Sequence, residues 1–214
     1  MEHTMPTVID DGAVVLFQGD SITDYGRSRE DDSQLGCGYV GMAAAIFSAM
    51  HPEKNVRFLN RGISGNRVRD LKARWTEDCI KLKPTWVSIM IGINDTWRRF
   101  DSNDPTSTQA FEADYREILT RTRDELAAKL ILCEPFLLPC PPDRKSWRED
   151  FNPRIQVVRT LAREFGAILV PLDGIFAEAA RKRECQYWAP DGVHPTSAGC
   201  ALIALSWLKA VGAM

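Results

Sequence analysis

Histidine is scarce in this chain of 214 residues: only His3, His51 and His194 occur. They stand far apart, so no two share a helix face, and neither a histidine-rich metal site nor any metal is expected. Cysteines are few and scattered. Cys37, Cys79, Cys133, Cys140, Cys185 and Cys200 form no C-x-x-C pair, and with no secretion signal they read as reduced and mostly buried. There is no excess charge of one sign either: 27 Lys and Arg against 29 Asp and Glu give a net charge of −2. That balance argues against a general nucleic-acid or polybasic membrane role. No apolar run approaches the roughly 18–20 residues of a membrane helix. The stretch Met1 to Asp11 bears acids and lacks the charged-then-apolar pattern of a signal peptide, so a cytoplasmic protein is expected. Repeats, low-complexity tracts and long linkers are missing too, which leaves one domain over 1–214 as the expectation.

What is present is an alternation of short apolar, β-branched runs with helical patterns. Ala13–Phe17, Val56–Asn60, Trp86–Ile91, Leu130–Cys133 and Ala167–Val170 read as five buried strands. Between them, Val68, Leu71, Trp75, Cys79 and Leu82 recur three or four apart along one helix face, as do Ile155, Val158, Leu161 and Phe165. A last helix follows Thr196. Strands buried on both faces and separated by helices predict a parallel sheet covered on each side, an α/β/α sandwich. Five strands suggest the flavodoxin-like order 2-1-3-4-5. In such sheets a ligand sits beyond the C-terminal strand ends near the switch point, so the residues just after each strand carry the functional reading.

Gly19-Asp20-Ser21 follows the first strand, Gly62-Ile63-Ser64-Gly65 the second, and Gly92-Ile93-Asn94-Asp95 the third. With order 2-1-3 the three loops are neighbours. Ser21 offers a hydroxyl on a tight turn, Gly65 a backbone N–H open to close approach, and Asn94 a side-chain amide. The N–H groups of Ser21 and Gly65 with the Asn94 amide would make a three-donor oxyanion hole. A serine needs a base. His51 precedes Pro52 at a helix end, where a cation near the helix C-terminus is the plain explanation, and His3 lies near the start of the chain. His194 remains, in Pro190-Asp191-Gly192-Val193-His194-Pro195, with Asp191 three residues upstream to hold the imidazole.

Gly-Asp-Ser early, the glycine of Ile-Ser-Gly, Gly-x-Asn-Asp, and a late Asp-x-x-His resemble the four blocks of the GDSL/SGNH hydrolases, in that family's order. Ile22 stands where the namesake motif has Leu. The resemblance implies a nucleophile Ser21, oxyanion donors Gly65 and Asn94, an Asp191/His194 pair, an α/β/α fold and no cofactor. The longer strings around Gly62–Trp75 and Trp86–Asp95 are similar to the bacterial acetylxylan esterase branch, whose members remove acetyl groups from sugars, and support assembly into a homo-oligomer.

Other features have competing readings. Gly36-Cys37-Gly38-Tyr39-Val40-Gly41 is a literal G-x-G-x-x-G, but it does not follow the first strand directly and no acid stands near Arg61. It reads as close packing at a helix start rather than a dinucleotide site. Arg67, Arg69, Lys72 and Arg74 read as a solvated helix side. Asp24–Gln34 either walls the site or is loose. Asp20, Trp97 and Trp188 are candidate substrate contacts, with Trp147 a further aromatic that could stack on a sugar; packing explains each equally well. Arg98 and Arg99 either line the site or brace the fold. The expectation is a serine esterase acting on acetylated xylo-oligosaccharides. Its rivals are the same chemistry on other acyl esters, as in a lysophospholipase or thioesterase, and a non-catalytic sugar-binding module.

Overall fold

A computed structural model of the chain describes residues 7–214; His3 lies outside the described residues. Strands β1 (Val14–Gly19), β2 (Arg57–Asn60), β3 (Trp86–Met90), β4 (Lys129–Cys133) and β5 (Ile168–Val170) form one sheet. All pairings are parallel and the order is β2-β1-β3-β4-β5, as the alternation of elements predicts. The register brings the strand ends level: Gly19 pairs with Met90, Met90 with Cys133, and Phe17 with Asn60. The loops after β1, β2 and β3 therefore open at one rim.

Period-two alternation splits each strand between two cores. Val15, Phe17, Trp86, Met90, Ile131 and Cys133 face one side, where α2 (Tyr39–Met50), α7 (Leu172–Lys182) and α9 (Ser197–Ala210) bury Phe47, Phe176, Ile203 and Trp207. Leu16, Val87, Ile89, Leu130 and Leu132 face the other. There α3 (Val68–Asp78), α5 (Thr108–Leu126) and α6 (Arg144–Glu164) contribute Leu71, Trp75, Tyr115, Ile118 and Val158. Two short helices, α1 (Ser21–Asp24) and α8 (Cys185–Trp188), follow β1 and α7 in the chain, and the nine-residue α4 (Ile93–Asp101) follows β3.

Several expectations need correction. The apolar repeat through Leu82 is not one helix: α3 ends at Asp78, Cys79 leaves helical geometry at φ −135°, and a 3₁₀ turn covers Ile80–Leu82. The basic row on α3 is not a solvated side throughout. Arg67 is buried, donating to Asp104 and to Thr106 Oγ1, and Arg74 reaches Asn66 Oδ1 and Asp78. Asp24–Gln34 is tied down: Arg27 Nε donates to the Gly62 carbonyl at 2.8 Å, and Arg61 pairs with Asp32 at 2.7 Å. Arg99 bridges to Glu149 and Asp150 of α6, a brace between helices. The cysteines are not all free. Cys79, Cys133 and Cys200 are buried thiols and Cys37 is exposed, but Cys140 and Cys185 are joined as a disulfide with Cα atoms 6.3 Å apart. Their meeting depends on α8 folding back against the segment after β4, which spacing in sequence does not reveal.

Candidate active site

β1 ends at Gly19, and Asp20 turns the chain into α1. Its Oδ1 accepts the Ile22 N–H at 3.0 Å, a side-chain N-cap that leaves Ser21 as the first helical residue. The four-residue helix stops at Tyr25, which adopts a left-handed conformation at φ 37°. Ser21 is thus held on a short, capped turn at the strand end.

The opposite side of the site comes from a loop 170 residues later. Asp191 Oδ1 accepts the N–H groups of Val193 (2.9 Å) and His194 (2.7 Å), which folds the four residues into a tight turn around Gly192. That turn swings Oδ2 onto His194 Nδ1 at 2.6 Å. With the proton on Nδ1, Nε2 accepts from Ser21 Oγ at 2.9 Å. The spacing Asp-x-x-His thereby becomes a continuous path from carboxylate to hydroxyl. Burial pushes the Asp191 carboxyl up, but the three hydrogen bonds from His194 and Val193 outweigh it and hold the group down at about 2. The Asp191 hydrogen bond in turn raises His194 above its ordinary value, against partial burial that lowers it.

Gly65 and Asn94 follow β2 and β3, the two strands that flank β1. Asn94 stands in the first turn of α4 rather than in a loop, after Gly92 at φ 132°, and its Nδ2 donates to the Asn66 carbonyl at 3.1 Å. One amide hydrogen is thereby oriented and the other left for a ligand. Among the described residues the N–H groups of Ser21 and Gly65 have no hydrogen-bond partner within the chain. Gly65 is glycine for its backbone: φ is +83°, while a Cβ there would meet nothing within 4 Å. Close approach is the requirement at Gly62 instead, where a Cβ would lie 2.3 Å from the Asp24 nitrogen.

Behind these donors sits a buried polar layer that the sequence reading passed over. Asp95 is fully buried; its Oδ2 accepts the Val68 N–H at 3.2 Å, tying α4 to the start of α3. Arg154, also fully buried, reaches from α6 to Thr96 Oγ1 and to the carbonyls of Asp95 and Thr106. Burial raises the Asp95 carboxyl to about 7, with the nearby Arg154 opposing. The signal for this layer is the aspartate that closes Gly-x-Asn-Asp, since an acid directly behind a strand end in the first turn of a helix has a backbone N–H to accept.

Of the three candidate substrate contacts, Asp20 has no open face to offer: it is 1% exposed and engaged in the cap, and burial lifts its carboxyl to about 7. Trp188 sends its indole N–H to the Ala179 carbonyl of α7. Trp97 does stand at the site, its ring 5.8 Å from the His194 ring. Tyr25, Pro190, Asp191, His194, Pro195 and Thr196 line an open hollow of about 430 Å³. A roomier groove of about 530 Å³, between Asp32–Gly36 and α2, includes none of these site residues. Among the described residues no cluster of three His, Cys, Asp or Glu side chains is placed to hold a metal ion. No helix among them is long and apolar enough to cross a membrane.

A parallel sheet in this order, with a serine at the end of β1 facing an aspartate-bound histidine, is the architecture of α/β/α ester hydrolases. The chain belongs to the GDSL-like lipase/acylhydrolase family, whose model matches residues 17–202, and it is a carboxylic ester hydrolase. It is 38% identical over 212 residues to an acetylxylan esterase of Geobacillus stearothermophilus, covering 95% of this chain and 96% of that one. The crystal structure of the acetylxylan esterase Axe2 from the same organism superposes with a TM-score of 0.86 at 38% identity, over 95% of this chain and 96% of that one. A GDSL-like lipase candidate from Parabacteroides merdae ATCC 43184 superposes with a TM-score of 0.92 at 35% identity, over 98% of this chain and all of the other.

Proposed function

We propose that the chain is a carbohydrate O-acetyl esterase acting on acetylated xylo-oligosaccharides through an acetyl-enzyme on Ser21. The observation that carries the reading is the unbroken path Ser21 Oγ–His194 Nε2, His194 Nδ1–Asp191 Oδ2, at 2.9 and 2.6 Å. The likeness to an acetylxylan esterase supports the substrate class.

In the first half-reaction Ser21 Oγ bonds to the acetyl carbonyl carbon while its proton passes to His194 Nε2. The negative charge that develops on the carbonyl oxygen is met by the N–H groups of Ser21 and Gly65 and the Asn94 amide. The acyl–oxygen bond to the sugar then breaks, and the proton on Nε2 goes to the departing sugar hydroxyl. In the second half-reaction His194 takes a proton from water, the resulting nucleophile attacks the acetyl carbon, and the proton returns to Ser21 Oγ as acetate leaves. Asp191 keeps the imidazole in the Nδ1–H form and stabilises the imidazolium. Asp20 is assigned to holding the Ser21 turn, and Trp97 to walling the site beside His194.

The chain is proposed to work as one domain over 1–214 and as a homo-oligomer. Two cores flanking a single sheet support the first, and the prevalence of closed symmetric dimers supports the second. Three buried free thiols support residence in the reducing cytoplasm, while the Cys140–Cys185 pair pulls the other way.

The test is a panel of acetyl, butyryl and octanoyl p-nitrophenyl esters with peracetylated xylose. The acetyl ester should have the highest kcat/KM, and acetate should be released from the sugar. A pocket that accepts an acyl chain gains up to about 0.8 kcal/mol per methylene. Octanoyl preference with an inert peracetylated xylose would therefore assign the chain to lipid-type esters instead.

A further inference from the structure

Arg144, the first residue of α6, packs its guanidinium against two indoles that touch each other edge-on, with ring centroids 5.4 Å apart. Its guanidinium carbon lies 3.9 Å from the Trp147 ring centroid and 5.0 Å from that of Trp97. Its Nε donates to the backbone carbonyl of Asp191 at 3.0 Å, and Nη1 pairs with Asp143 at 2.7 Å. Only 11% of the side chain is exposed. The two rings belong to different helices: Trp97 lies one turn beyond Asn94 on α4, and Trp147 on α6. Trp97 in turn stands beside His194. One side chain thus touches the helix that carries Asn94 and the turn that carries Asp191 and His194.

That turn needs support from outside. It is anchored to the segment before α6 through Leu138 N–H to the Gly192 carbonyl at 2.9 Å. Its carboxylate geometry depends on the peptide of Asp191 itself, because Oδ1 and Oδ2 are committed to the Val193, His194 and imidazole N–H groups. A donor fixed on the Asp191 carbonyl sets the plane from which that carboxylate projects.

We infer that Arg144 is a positioning residue for ester hydrolysis, holding the Asp191–His194 turn in register with the Asn94 helix. This rests on the reading of Ser21, His194 and Asp191 given above. Stacking needs a flat cation and the carbonyl needs an N–H part-way along the side chain; arginine supplies both. Lysine keeps the charge but ends one atom shorter and puts a methylene where Nε stands.

Arg144→Lys, Arg144→Met and Ser21→Ala, prepared in the full chain, test it by acetyl-ester kinetics across pH and by thermal melting. Arg144→Lys should melt cooperatively and lose about tenfold in kcat, the order expected for one hydrogen bond with a charged donor. KM should stay within about twofold, since the substrate's own contacts are untouched. The acid limb of its kcat profile should move to lower pH, because a loosened Asp191 no longer raises His194 as far. The groups that face His194 are Asp191 and Asp20, and both remain in this variant. Arg144→Met should lose kcat at least as severely; its pH limb is not the readout, since the lost positive charge pushes His194 the opposite way. Full activity and an unmoved acid limb in Arg144→Lys, with Ser21→Ala inert, overturn the role of Arg144 alone. Retained activity in Ser21→Ala overturns the catalytic reading and this inference with it. Loss of cooperative melting in both Arg144 variants makes the residue a folding element and overturns the assignment.

Discussion

The strand-end half of the site and the histidine half meet at Ser21 Oγ but are held in opposite ways. Asp20, Asn94 and Asp95 are 1%, 4% and 0% exposed, and each is fixed by at least one hydrogen bond to backbone. The side chains of His194 and Asp191 are 43% and 38% exposed, and their turn is secured by its own hydrogen bonds together with contacts from Leu138, before α6, and Arg144, at its start. The difference fits the work proposed for each half. Oxyanion donors never change protonation and gain from rigidity in a dry setting. A base that must later activate water gains from contact with solvent, and its proton affinity is set by one carboxylate rather than by deep burial.

Loosening the histidine half should have the largest effect. Asp191→Asn keeps the shape but presents an amide to Nδ1, so the tautomer that leaves Nε2 free is lost; the expected cost is about 10⁴-fold in kcat. In the unmodified enzyme activity should fall as the pH drops through the raised His194 value, because only neutral imidazole takes the Ser21 proton. Asp191, held at about 2, stays ionised throughout that range. In Asp191→Asn the acid limb of residual activity should move to lower pH. A pH–rate series on both proteins checks this, and an unmoved limb would uncouple Asp191 from His194.

Breaking the strand-end half should cost less. Asn94→Ala removes a donor whose value exists only in the transition state, so kcat should fall about 10²–10³-fold while KM changes little. Unchanged kcat with raised KM would make Asn94 a substrate contact. The smallest effect is expected at Gly65. Gly65→Ala meets no steric block but forces a Cβ onto a backbone at φ +83°. Chemical denaturation should show a loss of about 1–2 kcal/mol. A more stable variant would mean that this loop is not held in the left-handed conformation.

The fold was legible because its signals are redundant. β-branched runs, level lengths and intervening helical periods each imply a parallel sheet, and all five strands lie within two residues of the expected bounds. The placement of Ser21, Asp191 and His194 in one hydrogen-bonded path was legible because they follow a strand or stand in a short turn, where spacing is geometry. Residues that meet only in three dimensions were not. Arg144 reads as one charge among many at a helix start, and nothing in sequence announces its place against Trp97 and Trp147. Arg154 belongs to a helix whose apolar period suggests only core, and its burial is explained by carbonyls from α4 and the loop after it. Adjacency to Ser21 suggests Asp20 as a contact, whereas its short side chain is consumed by the cap.

The claim on which both halves depend is that Ser21 Oγ carries the acyl group between the two half-reactions. Acid-quenching a reaction with an activated acetyl ester before steady state, then mapping peptides by mass spectrometry, measures this directly. One acetyl group is expected on Ser21, disappearing with turnover and absent from Ser21→Ala. An acetyl group on another residue with the same kinetics, or full turnover by Ser21→Ala, would contradict it.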